Sequence, residues 1–163
     1  MGNKVVLAID PGYDRLGYAI ALISNSQFSI LKHGLIQTNK KDSLFDRYKL
    51  IMAELSTIIT QFKPSELAIE ELYFSKNTKT ALRVSEVKGL IISLALQNNL
   101  QVFEYHPNQI KLAVTGHGKA DKKAVEKMLR LELKLPKEKL VDDTLDALAI
   151  LLTHFTSHKN ILE

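Results

Sequence analysis

The chain contains one short phrase twice. Val5-Val6-Leu7-Ala8-Ile9 runs into Asp10, and Leu67-Ala68-Ile69 runs into Glu70. Each is a brief apolar run rich in branched residues, the pattern of a strand buried on both faces. Pro11-Gly12 stops the first run. Both acids therefore stand at the carboxyl ends of central strands, where open α/β sheets place their sites. Side chains alternate along a strand, so Ala8 shares a face with Asp10 and Ala68 with Glu70, while the larger Leu and Ile point the other way. If the two strands are parallel neighbours, Asp10 and Glu70 end level with each other. The same alternation sends the adjacent Glu71 to the opposite face. Two level carboxylates repel unless a cation lies between them. Oxygen ligands with room for water suit Mg²⁺ or Mn²⁺. Asp-Pro-Gly alone is also ordinary turn chemistry; the repetition gives it a second meaning.

Around these two strands the pattern predicts an α/β protein. Leu16–Ile23 and Phe28–Ile36 complete an antiparallel meander with the first strand, with His33 on its surface or edge. Asp42 or Ser43 caps a helix over roughly 43–61, with Leu44, Tyr48, Ile51, Leu55, Ile58 and Ile59 as its apolar stripe. A helix over roughly 78–98 is apolar almost all round in its second half, from Leu90 to Leu96. That composition fits either a helix buried in its own core or one that also meets a partner chain, with Gly89 allowing close approach. Leu100–Tyr105 is a fifth strand, and Pro107 opens a short helix. The loop Thr115–Ala120, with Lys119, leads to a helix near 121–132 carrying Lys122, Lys123 and Lys127. Lysines in a row on a helix usually face solvent; beside glycines and acids they can also track phosphates. The last helix spans about Asp142–Phe155. Asp143 and Asp146, three apart, share a side of its first turn. Capping and the helix dipole explain such a pair by themselves; with Asp10 and Glu70 in view, they form the far wall of an acidic cluster.

The ordered set Ile9-Asp10-Pro11-Gly12 with Gly17-Tyr18, Ala68-Ile69-Glu70 with Lys76-Asn77, Phe103-Glu104-Tyr105, and Asp143-Thr144-Leu145-Asp146-Ala147-Leu148-Ala149 with Thr153-His154 resembles the bacterial RuvC family of Holliday junction resolvases along nearly the whole chain. The resemblance implies a ribonuclease-H-like three-layer α/β fold, with a five-stranded mixed sheet flanked by helices. It implies one nuclease domain over residues 1–158 with a short tail at 159–163. It also implies a homodimer that binds a four-way DNA junction, makes paired symmetric nicks with Mg²⁺, two ions per site and Mn²⁺ as a substitute, and works with a branch-migration motor of RuvA and RuvB. The family's catalytic, metal-holding acids fall on Asp10, Glu70, Asp143 and Asp146. Its DNA contacts fall on Tyr73, where Phe is common, and on Lys111 and Lys122; the neighbouring Lys76, Lys119 and Lys123 join them as expected DNA contacts. Tyr73 and Phe74 offer faces on which an unpaired base can stack.

Composition narrows the rivals. The absence of cysteine excludes disulfides and thiolate metal sites. No apolar run approaches membrane-spanning length, and the five apolar residues after Lys4 are too few for a signal-peptide core, so a cytoplasmic protein is expected. The net charge of +4 permits a nucleic-acid partner. An actin-like ATPase or sugar kinase also opens with Asp-x-Gly after a strand, but that fold needs a second similar domain and 163 residues are too few. A YqgF-type ribonuclease-H-like RNA nuclease shares the acid-glycine start and a late Asp; the apolar helix and the aromatics after Glu70 favour the resolvase. A junction-binding scaffold without catalysis is the third alternative, and four intact acids argue against it.

Overall fold

The computed structural model describes residues 3–24, 27–72, 78–136 and 138–159. The strands are β1 (Lys4–Asp10), β2 (Arg15–Ser24), β3 (Gln27–Gln37), β4 (Glu66–Glu70) and β5 (Gln101–Tyr105). The helices are α1 (Leu44–Phe62), α2 (Thr78–Gln97), α3 (Pro107–Thr115), α4 (Lys122–Glu132) and α5 (Asp142–Lys159). The last helix thus runs a turn beyond the end that its apolar pattern suggests. Among the described residues no helix is long and apolar enough to cross a membrane.

The sheet order is β3-β2-β1-β4-β5. β1, β2 and β3 form the expected antiparallel meander, and β1–β4 and β4–β5 are parallel. The strand echo sets the register. Leu7 pairs with Leu67, Ala8 with Ala68 and Ile9 with Ile69, so Asp10 and Glu70 follow side by side.

Alternation splits the core into two layers. Leu7, Ile9, Leu67 and Ile69 pack with Ile51, Leu55 and Ile58 of α1 and Val87 and Ile91 of α2. Val6, Ala8, Ala19, Ala21 and Ala68 form the opposite face, against α3, α4 and above all α5. Four of these five are alanines, so α5 lies close on the sheet. Gly17, opposite Asp10 on β2, takes the approach to its limit: a Cβ there would overlap the Asp143 carbonyl oxygen. Thr144 Oγ1 donates to the Gly34 carbonyl of β3 at 3.3 Å. The amino end of α5 is thereby seated on the strand ends.

The far half of α5 is fixed by a polar network under the sheet. His154 is almost fully buried; its Nδ1 lies 2.7 Å from the Tyr105 hydroxyl and its Nε2 2.8 Å from Glu66 Oε2. Lys4 Nζ donates to the other Glu66 oxygen at 2.5 Å. The His154 hydrogen bond, helped by Lys4 against the effect of burial, lowers the Glu66 carboxyl from 4.5 to about 2. Burial, opposed by Glu66, lowers the His154 imidazole below its ordinary value.

Both groups bind fewer protons folded than unfolded, so acid weakens the fold. For Glu66 the stabilisation is complete above its unfolded pKa of 4.5 and is lost as pH falls towards about 2. Denaturant unfolding of wild type and Glu66→Gln tests this. The wild-type advantage should shrink by roughly 2 kcal/mol between pH 5 and pH 3; an advantage constant over that range would contradict the assignment.

Candidate active site

Three elements supply the acids. Asp10 ends β1 and Glu70 ends β4, level by register, and α5 lays Asp143 and Asp146 beside them. Glu70 and Asp146 share a cleft with Lys111 of α3 and Lys122 of α4. Asp10, Pro11, Glu70 and Glu71 line an adjoining pocket. All four carboxylates that the sequence singled out are brought to one end of the sheet.

Their charges burden one another. Burial, then Asp146, Glu70 and Asp143, raise the Asp10 carboxyl to about 8, with Lys122 opposing. Burial and Asp146 raise Glu70 to about 7, against Lys88, Lys111 and Lys122. Burial raises Asp146 as well, with Lys122 the chief opposing charge. For Asp10 and Glu70 the sign is opposite to that of Glu66. Without a cation, each contributes most below its unfolded pKa and loses that contribution as pH rises through the folded value.

Lys122 is the cluster's own counter-charge. Its Nζ lies 3.4 Å from Asp146 and 3.5 Å from Asp142. Burial disfavours the charged ammonium, but Asp146 and Asp142 outweigh it and raise its pKa. Lys123 lines the cleft between α4 and the start of α5. Lys119 is exposed on the loop entering α4, one residue from Ala120 on the cleft wall. Tyr73 and Lys76 lie outside the described residues.

The donor set fits a hard divalent cation. It is all carboxylate, and Asp143 Oδ2 is buried without a hydrogen bond; Arg15 Nε approaches it at 3.2 Å without the alignment of one. Among the described residues no three acidic or histidine side chains close into a finished metal cage.

Two further charged residues, neither carried by a sequence motif, adjoin the acids. Lys88 of α2 is 8% exposed and forms a short ion pair with Glu104 of β5 while supporting the charge on Glu70. Its signal was available: Lys88 falls on the helix face of Ile91 and Ala95, where a lysine must find a carboxylate. Arg15 had no such signal, since its contact with Asp143 joins residues distant in sequence.

Comparison with known proteins agrees with this geometry. The family described as crossover junction endodeoxyribonuclease RuvC matches residues 6–154. The protein of that name from Pseudothermotoga lettingae is 45% identical over 150 residues, 92% of this chain and 93% of the relative. That from Petrotoga mobilis is 43% identical, covering 92% of each. Among solved structures, T. thermophilus RuvC in complex with a Holliday junction substrate superposes with a TM-score of 0.87 at 30% identity, over 96% of each chain. The yeast mitochondrial resolvase Ydc2, at 15% identity and a TM-score of 0.67 over 95% of this chain and 80% of its own, shares the fold. With the ribonuclease-H-like sheet, the ordered acids and near-complete coverage in agreement, this chain belongs to the RuvC family of crossover junction endodeoxyribonucleases.

Proposed function

We propose that this protein resolves four-way DNA junctions by paired, symmetric, metal-dependent hydrolysis of phosphodiester bonds, with Asp10, Glu70, Asp143 and Asp146 as its catalytic acids. The observation that carries the reading is the gathering of these four carboxylates from β1, β4 and α5 at one end of the sheet, in a chain of this family over nearly its whole length. Membership implies divalent-metal use. The four acids would hold two Mg²⁺ ions, or Mn²⁺ in their place, which when bound supply an activated water and stabilise the leaving oxygen.

The chain's own residues do the rest. Carried on β1, β4 and α5, the acids would hold such cations at one end of the sheet. Lys122 and Lys111 face the same cleft and meet the negative phosphate as its charge develops. Lys119 and Lys123 extend that basic wall to the DNA backbone, and Tyr73 and Lys76 are assigned from family likeness to base stacking and phosphate contact. In the absence of DNA, Lys122 keeps Asp146 company; a phosphate in the cleft gives the ammonium a second anion.

A homodimer supplies two such sites to a substrate of matching two-fold symmetry. The exposed stripe of α2 supports that assembly. Leu82 and Leu96 are 60% and 59% exposed, Gly89 stands midway between them in sequence, and a Cβ at Gly89 would meet nothing within 4 Å. Leu94, by contrast, packs in the protein's own core. A RuvA–RuvB branch-migration motor is the partner assigned from family likeness.

Single-turnover nicking of a synthetic four-way junction in Mg²⁺ tests the function. Wild type should nick two opposed strands symmetrically and leave a linear duplex of the same sequence intact; a chelator should stop cleavage while binding persists. Glu70→Gln should bind but not cut. Glu71→Gln, altering an exposed residue, should cut at near the wild-type rate. Cleavage of RNA in preference to the junction, or full cleavage in chelator, would refute the reading. For assembly, Leu96→Glu should sediment as a folded monomer at concentrations where wild type is a dimer; a dimeric variant would remove α2 from the interface.

A further inference from the structure

The β1–β2 turn and the β3–α1 loop are stitched into one rim. Buried Arg47 of α1 donates to Thr38 Oγ1 and to the Tyr13 carbonyl, both at 2.9 Å, and forms a short ion pair with Asp14. Its guanidinium lies 4.9 Å from the centre of the Tyr13 ring. Thr38 Oγ1 in turn donates to the Tyr13 carbonyl at 2.7 Å, and Thr38 N to Asp14 O at 3.0 Å. The rim borders an open groove whose lining includes Arg15, Gln37, Lys40 and Lys41 together with the acids Asp14 and Asp143.

Charge in this groove is unbalanced in one direction. Asp14 is already matched by Arg47. Lys40 reaches Asp14 only at 3.5 Å, with 79% of its side chain exposed, a contact of little energetic weight. Lys41 makes no ion pair among the described residues, and its amide is turned by Asn39 Oδ1 at 3.0 Å. Arg15 is half exposed even while touching Asp143.

The two basic groups reach the acids from different elements. Arg15 and Gln37 belong to β2 and β3, and Arg15 Nε lies 3.2 Å from Asp143 Oδ2, whereas Lys111 and Lys122 stand on α3 and α4 in the cleft with Glu70 and Asp146. A strand lying across the acids would meet basic side chains beside Asp143 as well as beside Asp146. We propose that the groove of Arg15, Lys40 and Lys41 is a second DNA-backbone contact surface, which holds phosphates flanking the scissile one on the Asp143 side. The proposal rests on the junction-resolving reading and adds a surface to it. Phosphate contacts of this kind position the duplex without reading bases, and each one released to salt adds a fixed increment to the salt dependence of binding.

Binding of a labelled four-way junction, measured in chelator across a salt series, separates the possibilities. Lys40→Ala/Lys41→Ala should keep the wild-type melting temperature and lower the slope of log affinity against log salt by about 1.8, the increment for two phosphates. A control, Lys49→Ala/Lys139→Ala, removes two exposed lysines outside the groove and should leave the slope near wild type. An unchanged slope in the groove variant, or an equal loss in the control, would overturn the groove assignment while leaving the junction reading intact. Absence of salt-dependent junction binding by wild type would overturn both.

Discussion

The site depends on how closely α5 can lie against the sheet. An α-helix normally stands off a sheet by the depth of the side chains between them. Here that layer is thinned to Ala8, Ala19, Ala21 and Ala68, and at Gly17 it disappears. The amino end of α5 then rests against the strand that pairs with β1, bringing Asp143 and Asp146 into electrostatic range of Asp10 and Glu70. A larger residue on this face would act twice, first by overpacking the core and then by lifting two carboxylates away from the others.

The arrangement costs stability at one end of the molecule and regains it at the other. At the strand ends, burial and then neighbouring like charges hold Asp10 and Glu70 far above the ordinary carboxylate range. A few side chains away, Glu66 uses the same ingredients with the opposite sign. It is at least as buried as the site acids, yet His154 and Lys4 lower it to about 2. The difference is the partner. A buried carboxylate with a directed hydrogen bond stabilises the fold, while one facing other carboxylates is pushed towards its protonated form. Since α5 carries both His154 and Asp143, its anchored half steadies the half that holds the acids.

Much of this was legible before any coordinates. The repeated Leu-Ala-Ile-acid phrase gave the layer split, which follows from the two-residue period of a strand; with the two strands parallel neighbours, it also put Asp10 and Glu70 level. The helix stripes were legible for the same reason, with α1 burying five of the six residues expected and Leu44 only partly. Arg47, buried on that helix, was not foreseen. Its partners Tyr13, Asp14 and Thr38 lie in two separate loops, and no periodicity reports where loops meet. Sidedness was partly hidden too. The apolar half of α2 suggested a partner, yet only the fold separates Leu94, which faces inward, from Leu96, which does not.

β1, β4 and α5 bring four acids together, and the proposed function has a divalent cation relieve their repulsion. The direct test is the melting temperature of wild type and Asp10→Asn at pH 8, with chelator and with millimolar Mg²⁺ at matched ionic strength. Removing the Asp10 charge should raise the metal-free melting temperature by about 4 °C or more, and Mg²⁺ should stabilise wild type but not the variant. A variant less stable than wild type in chelator, or one stabilised by Mg²⁺ to the same extent, would contradict the account.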